Sequence, residues 1–206
     1  MLAETGFIGL TINGMDGKSG LREWEGVIPW LYLDSRRLYG VLAPLVTVGI
    51  GCALGSYTDR VPPAEVQALP WMVNGESATA EMIAHDYEAV CSSAGAMMAD
   101  SYEHLSSIRL SDASMVALCE TRLATFVTAL QKTFPEFDGW PVTCKAGALD
   151  LIYGTGISGF RQYYLFIAAC LSGHWKAAAL QSASDANLQA YDKRNQARRV
   201  LFLDAA

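Results

Sequence analysis

Charge is scarce in this sequence, and so are the side chains that usually hold metals. Charged residues make up 17% of the 206-residue chain, and basic residues number 15 against 21 acidic ones, for a net charge of −6. Neutralising phosphates takes a basic surface, so a general nucleic-acid binder is excluded. The three histidines, His85, His104 and His174, are scattered and form no HExxH pattern. The five cysteines, Cys52, Cys91, Cys119, Cys144 and Cys170, are odd in number and include no CxxC pair. A zinc site and a disulfide framework are therefore not expected, and the thiols read as small buried hydrophobes.

Other signals are missing too. The N-terminus places Glu4 early and has no basic segment ahead of a long apolar block, so no secretory signal is expected and synthesis is assigned to the cytoplasm. The longest uncharged run, Leu38 to Thr58, is interrupted by Gly40, Pro44, Gly49, Gly51 and Gly55 and alternates like a strand at "VTVGIG". It is expected to be sheet, not a membrane span. The glycine-rich "GIGCALG" and "GTGISG" have no Lys-Ser/Thr after them, which argues against phosphate loops.

Hydrophobic residues reach 51%, enough for a packed core. Residues 1–17 are weakly patterned and read as a linker or N-terminal extension, followed by one domain over 18–206. "SGLREWEG" reads as a short helix with Ser19 as its cap and Gly26 just past its end. "VIPWLYLD" and "LVTVGIG" read as strands, and Pro29 demotes the first to an edge position. Residues 57–108 are an inserted, mostly helical segment. "LSDASMVALCETRLATFVTALQKTF" is a long helix capped by Ser111, and further helices follow at about 143–154, 159–172, 173–184 and 186–204. The fold class is α+β, mainly α: a small N-terminal lobe with a short β-hairpin or sheet, and a larger helical C-terminal lobe.

Two acids in "EGVIPWLYLD" stand out. Glu25 falls at the end of the short helix, at the negative end of its dipole, with Trp24 and Trp30 close in sequence. Both features penalise a charge there. Asp34 opens the polar turn "DSRR", where two arginines favour a charge. Carboxyl groups pushed in opposite directions are what glycoside hydrolysis requires: one protonates the leaving oxygen and the other helps a water attack. Glu23 is the rival acid, on roughly the opposite face of the helix. Lys193, Arg194, Arg198 and Arg199 read as a solvated helix end.

The spacing of "EG", five residues, "Y", one residue and "D", followed by "TVGIG", resembles the N-terminal lobe of the phage T4-type lysozymes, glycoside hydrolase family 24. "AGALDLIYGTGISGF" is similar to that family's central helix and glycine turn, "GHWKAAAL" to its next helix and "RNQARRVLFL" to its last. The resemblance covers about 18–56 and 109–204. It implies a lysozyme-like fold and a muramidase that cleaves the β-1,4 bond between N-acetylmuramic acid and N-acetylglucosamine, with inversion and no cofactor or metal. By the same resemblance Glu25 is the general acid, Asp34 and Thr47 position the attacking water, and Tyr32, Gly49 and Gly51 line the substrate site.

The chain departs from the family in three places. The Asp-to-Thr connection is lengthened by "RRLYGVLAP", Cys52 stands where a histidine is common, and 57–108 is longer than the usual link. The implied partner is the glycan strand of peptidoglycan, reached either by phage holin release or by a secretion system that delivers a toxin domain. The second route implies a cognate immunity protein. Two rival readings remain: a peptidoglycan peptidase or amidase using Cys52 with His85 or His104, and a lysozyme-like module that only binds glycan.

Overall fold

β-Branched Val46, Thr47 and Val48 favour an extended strand, and the glycines that follow turn the chain into the next one. The computed structural model describes residues 2–38, 41–93, 97–183 and 189–205, with the side chains of 2–5, 35–38, 41–43 and 189–192 outside that description. In chain order the elements are α1 (Leu2–Asn13), α2 (Leu21–Trp24), β1 (Ile28–Leu38), β2 (Val41–Gly49), β3 (Cys52–Ser56), α3 (Ala64–Gln67), β4 (Met72–Val73), β5 (Glu76–Ser77) and α4 (Ala80–Ser92). A 3-10 helix (Ala99–Leu105) precedes α5 (Asp112–Thr133), α6 (Val142–Phe160), α7 (Tyr164–Leu171), α8 (Trp175–Gln181) and α9 (Gln189–Leu203). With 59% helix against 13% strand, the class is α+β, mainly α.

The chain divides into two units, one made of residues 1–24 and 120–206 and the other of 25–119. The boundary falls inside α5, between Cys119 and Glu120. Residues 57–108 thus belong with the sheet, and the N-terminal residues belong with the helices.

In the unit of residues 25–119, the sheet is antiparallel with order β1-β2-β3. Pro29 lies on an edge strand, where its missing N–H breaks no ladder bond. Its carbonyl accepts from the Leu110 N–H instead. The register pairs Tyr32 with Thr47 and Asp34 with Leu45, and it continues to Leu38 opposite Val41. The tip of this long hairpin, residues 39–40, lies outside the described residues. The uncharged run is therefore sheet, as its alternation suggests.

The inserted segment covers the sheet edge. The Trp30 indole donates to the Ala99 carbonyl at 3.0 Å, and the Arg109 guanidinium stands 5.1 Å from the Trp30 ring centroid. Asn74 and Gly75, both with positive φ, close the β4–β5 hairpin as a two-residue turn. The "DSYEHL" segment is a 3-10 helix, tighter than the α-helix its amphipathic pattern suggests.

In the unit of residues 1–24 and 120–206, α6 is the central element and is buried from Ala146 to Tyr153 on every face. Gly156, with φ 68° and ψ 170°, breaks the helical path inside α6, so "GTGISG" acts as a kink. A cluster of rings surrounds this helix: Phe134, Phe137 and Trp140 pack together at centroid distances of 4.7 and 5.2 Å, and Phe160 meets both Phe134 and Phe166.

Within the segment 1–17, read as a linker or N-terminal extension, residues 2–13 form a helix. Helix α1 buries Phe7 and Ile12, and the Phe7 ring meets Phe137 edge-on at 6.1 Å beneath the Lys145 ammonium. Glycines at 6 and 9 hid this helix from a propensity reading, because tertiary burial supplies what propensity does not. Ser19 does not cap α2 either; its hydroxyl donates to Asp16 Oδ1 at 2.7 Å, and the Gly20 carbonyl accepts the first amides of the turn. Ser111 does cap α5, accepting from the Ser114 N–H at 3.1 Å. Among the described residues, α5 is the helix long and apolar enough to cross a membrane by length and composition, a test that the core helix of a soluble protein also passes.

If α1 is integral, Phe7→Ala should cost about 3–5 kcal/mol, the range for truncating a buried phenylalanine. Denaturant unfolding checks this. A linker would leave the midpoint unchanged.

Candidate active site

Helix α2 is a single turn, so its dipole is small and contributes little at Glu25, which follows it directly. Glu25 packs against the turn between β2 and β3. Gly49 and Gly51 take φ of 66° and 65°, the left-handed region that side chains disfavour. A methyl group built on Gly51 would stand 2.8 Å from Glu25 Oε2 and 3.0 Å from its Cβ. A methyl on Gly49 would touch Met115 at 3.4 Å. The "TVGIG" glycines therefore do two things: they turn the chain, and at Gly51 they let the Glu25 carboxyl lie against the backbone. Glu25 is half-buried, whereas Glu23 is exposed.

Asp34, Tyr32 and Thr47 share one face of the β1–β2 ladder, because Tyr32 pairs with Thr47 and side chains two apart on a strand point the same way. Asp34 is half-buried and Tyr32 is nearly enclosed. Thr47 lies deeper than Asp34. It is fully buried, and its hydroxyl donates to the Leu45 carbonyl at 3.0 Å. A buried hydroxyl with its hydrogen committed is poorly placed to orient a bulk water. It fixes instead the backbone of Leu45, the residue opposite Asp34. The two arginines expected beside Asp34, Arg36 and Arg37, have side chains outside the described residues. Trp30, expected near Glu25, has its ring held by Ala99 and Arg109.

Cys52 is buried, with Sγ 3.8 Å from the Ile50 carbonyl, while His85 and His104 are exposed. His85 bonds through Nδ1 to Asp86 Oδ1 at 3.1 Å. Among the described residues no cluster of three or more His, Cys, Asp or Glu is arranged to hold a metal ion.

Two buried carboxylates were not singled out from the sequence. Asp86 accepts from the Ser107 and Ile108 amides at 2.5 and 3.0 Å and from the Ser107 hydroxyl at 2.9 Å, pinning α4 to the segment before α5. Burial pushes the Asp86 carboxyl up, but His85 and these donors outweigh it and hold it below the usual carboxylate range. In the other unit, Asp150 takes Arg194 Nε at 3.0 Å and Arg198 Nε at 2.6 Å. Burial opposes its charge, and Arg198 and then Arg194 reverse the balance, again lowering it. The basic cluster is thus not simply a solvated helix end: Arg194 and Arg198 are 5% and 3% exposed. The signal was available in their spacing of four, which puts both on one face of α9.

Gly51→Ala should cost roughly 1–2 kcal/mol through its left-handed backbone and should displace the Glu25 carboxyl. Gly17→Ala, also at positive φ but with open space around it, should show the strain without that displacement. Denaturant melts of both variants, with a structure of Gly51→Ala, check the pair. Asp86 gives a pH prediction. A lowered native carboxylate stabilises the fold above its unfolded value of about 3.9 and loses that contribution as pH falls through the native value. Asp86→Asn should be less stable at pH 7 by about 1–3 kcal/mol. The gap to wild type should shrink below about pH 4, measured by urea unfolding across pH.

No family model matches the sequence, and no curated protein and no solved structure matches it at a significant level.

Proposed function

We propose that the chain is a peptidoglycan muramidase with a lysozyme-like fold, hydrolysing the β-1,4 bond between N-acetylmuramic acid and N-acetylglucosamine. The observation that carries the reading is the seating of the Glu25 carboxyl against Gly51 at the end of a sheet that presents Asp34 and Tyr32 on one face. In this reading Glu25 gives its proton to the leaving glycosidic oxygen. Asp34 takes the attacking water by hydrogen bond and its negative charge stabilises the oxocarbenium-like centre. The water attacks from the opposite side of the ring, so the product is inverted. Thr47 acts one step removed, by holding the strand opposite Asp34. Tyr32, Gly49 and Gly51 form the substrate-facing wall.

The Cys52 peptidase reading is disfavoured by burial: at 1% exposure the thiol is closed to a peptide carbonyl, and both candidate histidine bases lie at the surface. The remaining rival is a module that binds glycan without cleaving it. For biology, the reading favours a toxin domain delivered to the periplasm by a secretion system, with a cognate immunity protein, over a phage endolysin released through a holin. The acidic balance is unusual for a lysin approaching an anionic wall from solution.

The test is digestion of purified peptidoglycan followed by mass spectrometry of the muropeptides, which identifies the bond cut. Glu25→Gln should lower the rate by at least roughly 10²–10⁴-fold, the usual contribution of a general acid. Asp34→Asn should also lose most activity, whereas Glu23→Gln and Cys52→Ala should retain it, with thermal melts as folding controls. Equal activity in all four variants would return Glu25 and Asp34 to ordinary surface acids. Cleavage without dependence on Glu25 but with dependence on Cys52 would establish the peptidase.

A further inference from the structure

The helical unit holds a pocket of about 330 Å³, at the small end of the range for small-molecule sites. It is formed by α1, the loop after it, Trp24 and helices α6 and α9. Leu10, Met15, Trp24 and Leu201 make its walls apolar, and Asp150, Arg194 and Arg198 are its buried charged lining. None of these residues belongs to the Glu25, Asp34 and Tyr32 constellation.

The chemistry of the lining narrows the ligand. Thr11 spends its hydroxyl hydrogen on the Phe7 carbonyl at 2.8 Å. Asp16 Oδ1 is taken up by the Lys18 and Ser19 amides and the Ser19 hydroxyl, which fold the loop. Asp150 is occupied by both arginines. Arg198, 97% buried, directs Nε to Asp150 and Nη1 to the Ser182 carbonyl and Asn195 Oδ1, at 2.6, 2.7 and 3.1 Å. Its third nitrogen, Nη2, has no acceptor among the described residues. A guanidinium fixed on two of its nitrogens is preorganised, so the third can bind an acceptor with little further ordering. Apolar walls around this preorganised Arg198 donor fit a ligand with an apolar body and an anionic acceptor.

We propose that this pocket is a binding site for a small monocarboxylate with an apolar chain or ring, its carboxylate received by Arg198 Nη2 and its body lying along Leu10, Trp24 and Leu201. The site is independent of the muramidase reading, and its test needs no turnover.

The probes are octanoate and 1-octanol, which share a chain and differ in the head group. Calorimetry on the full chain should give octanoate a Kd of about 1 mM or tighter, with 1-octanol at least ~10-fold weaker because it lacks the charge-assisted bond. Ala197→Phe, from the half-buried α9 position on the rim, should fill the pocket and remove octanoate binding while the thermal melt stays near wild type. A diazirine-bearing octanoate should label peptides of α1 or α9 in the unaltered protein, a readout that stands even if the variant fails to fold. No octanoate binding at about 10 mM, equal binding of the alcohol, or labelling confined to other segments overturns the proposal.

Discussion

The helical unit depends on one buried carboxylate. Asp150 sits on α6, the helix with no solvent-facing side from Ala146 to Tyr153, and it draws in two guanidinium groups from α9. Burying three charged groups costs several kcal/mol each before any bond forms, and the geometry offsets this only when nearly every donor and acceptor is used. Here the two Nε–H groups take both carboxylate oxygens, and Arg198 extends to the chain leaving α8 at Ser182. An ion network of this kind adds little net stability over a hydrophobic replacement, but it tolerates only one rotation of α9 about its axis. That rotation also presents Phe202 to the helix centre, where Gly147 leaves room for the ring: a methyl at Gly147 would lie 2.6 Å from it. The charged and apolar contacts of α9 specify the same docking.

The sheet unit is governed by backbone geometry instead. The pair of left-handed glycines ends β2, begins β3 and clears a space for the acid, so one short motif sets both a fold boundary and a side-chain position. The adjoining ladder fixes which residues share a face. Register does this without side-chain charge, since a slip by one residue would turn Asp34 and Tyr32 to the other surface.

Much of this was legible in the residues. Strand alternation, Pro29 at an edge and the Ser111 cap all follow from local rules and appear where those rules put them. The glycine motif drew attention to Glu25, although the physical reason first attached to that residue, a helix dipole, was the weaker one; contact with Gly51 is what the structure offers. What stayed hidden were features made by distant segments. Helix α1 has a poor intrinsic pattern and is stabilised by Phe137 and Lys145, more than 120 residues away in sequence. Asp86 and Asp150 look like ordinary acids until the donors from other segments surround them. Thr47 reads as a cleft residue from its motif, and its burial, with Val46 and Val48 also enclosed, comes from segments that the motif does not contain.

The discontinuity of the helical unit bears on how the chain is made. Residues 1–24 leave the ribosome before their long-range partners, because Phe137 and α6 come after residue 119. Residues 25–119 form a continuous segment with their own contacts and are free to fold as soon as they emerge. Helix α1 must then wait, with Phe7 and Ile12 exposed, for closure of a loop of more than a hundred residues. Synthesis therefore leaves an apolar segment unsatisfied until Phe137 and α6 are out, and a chaperone that shields such segments has a defined interval in which to act.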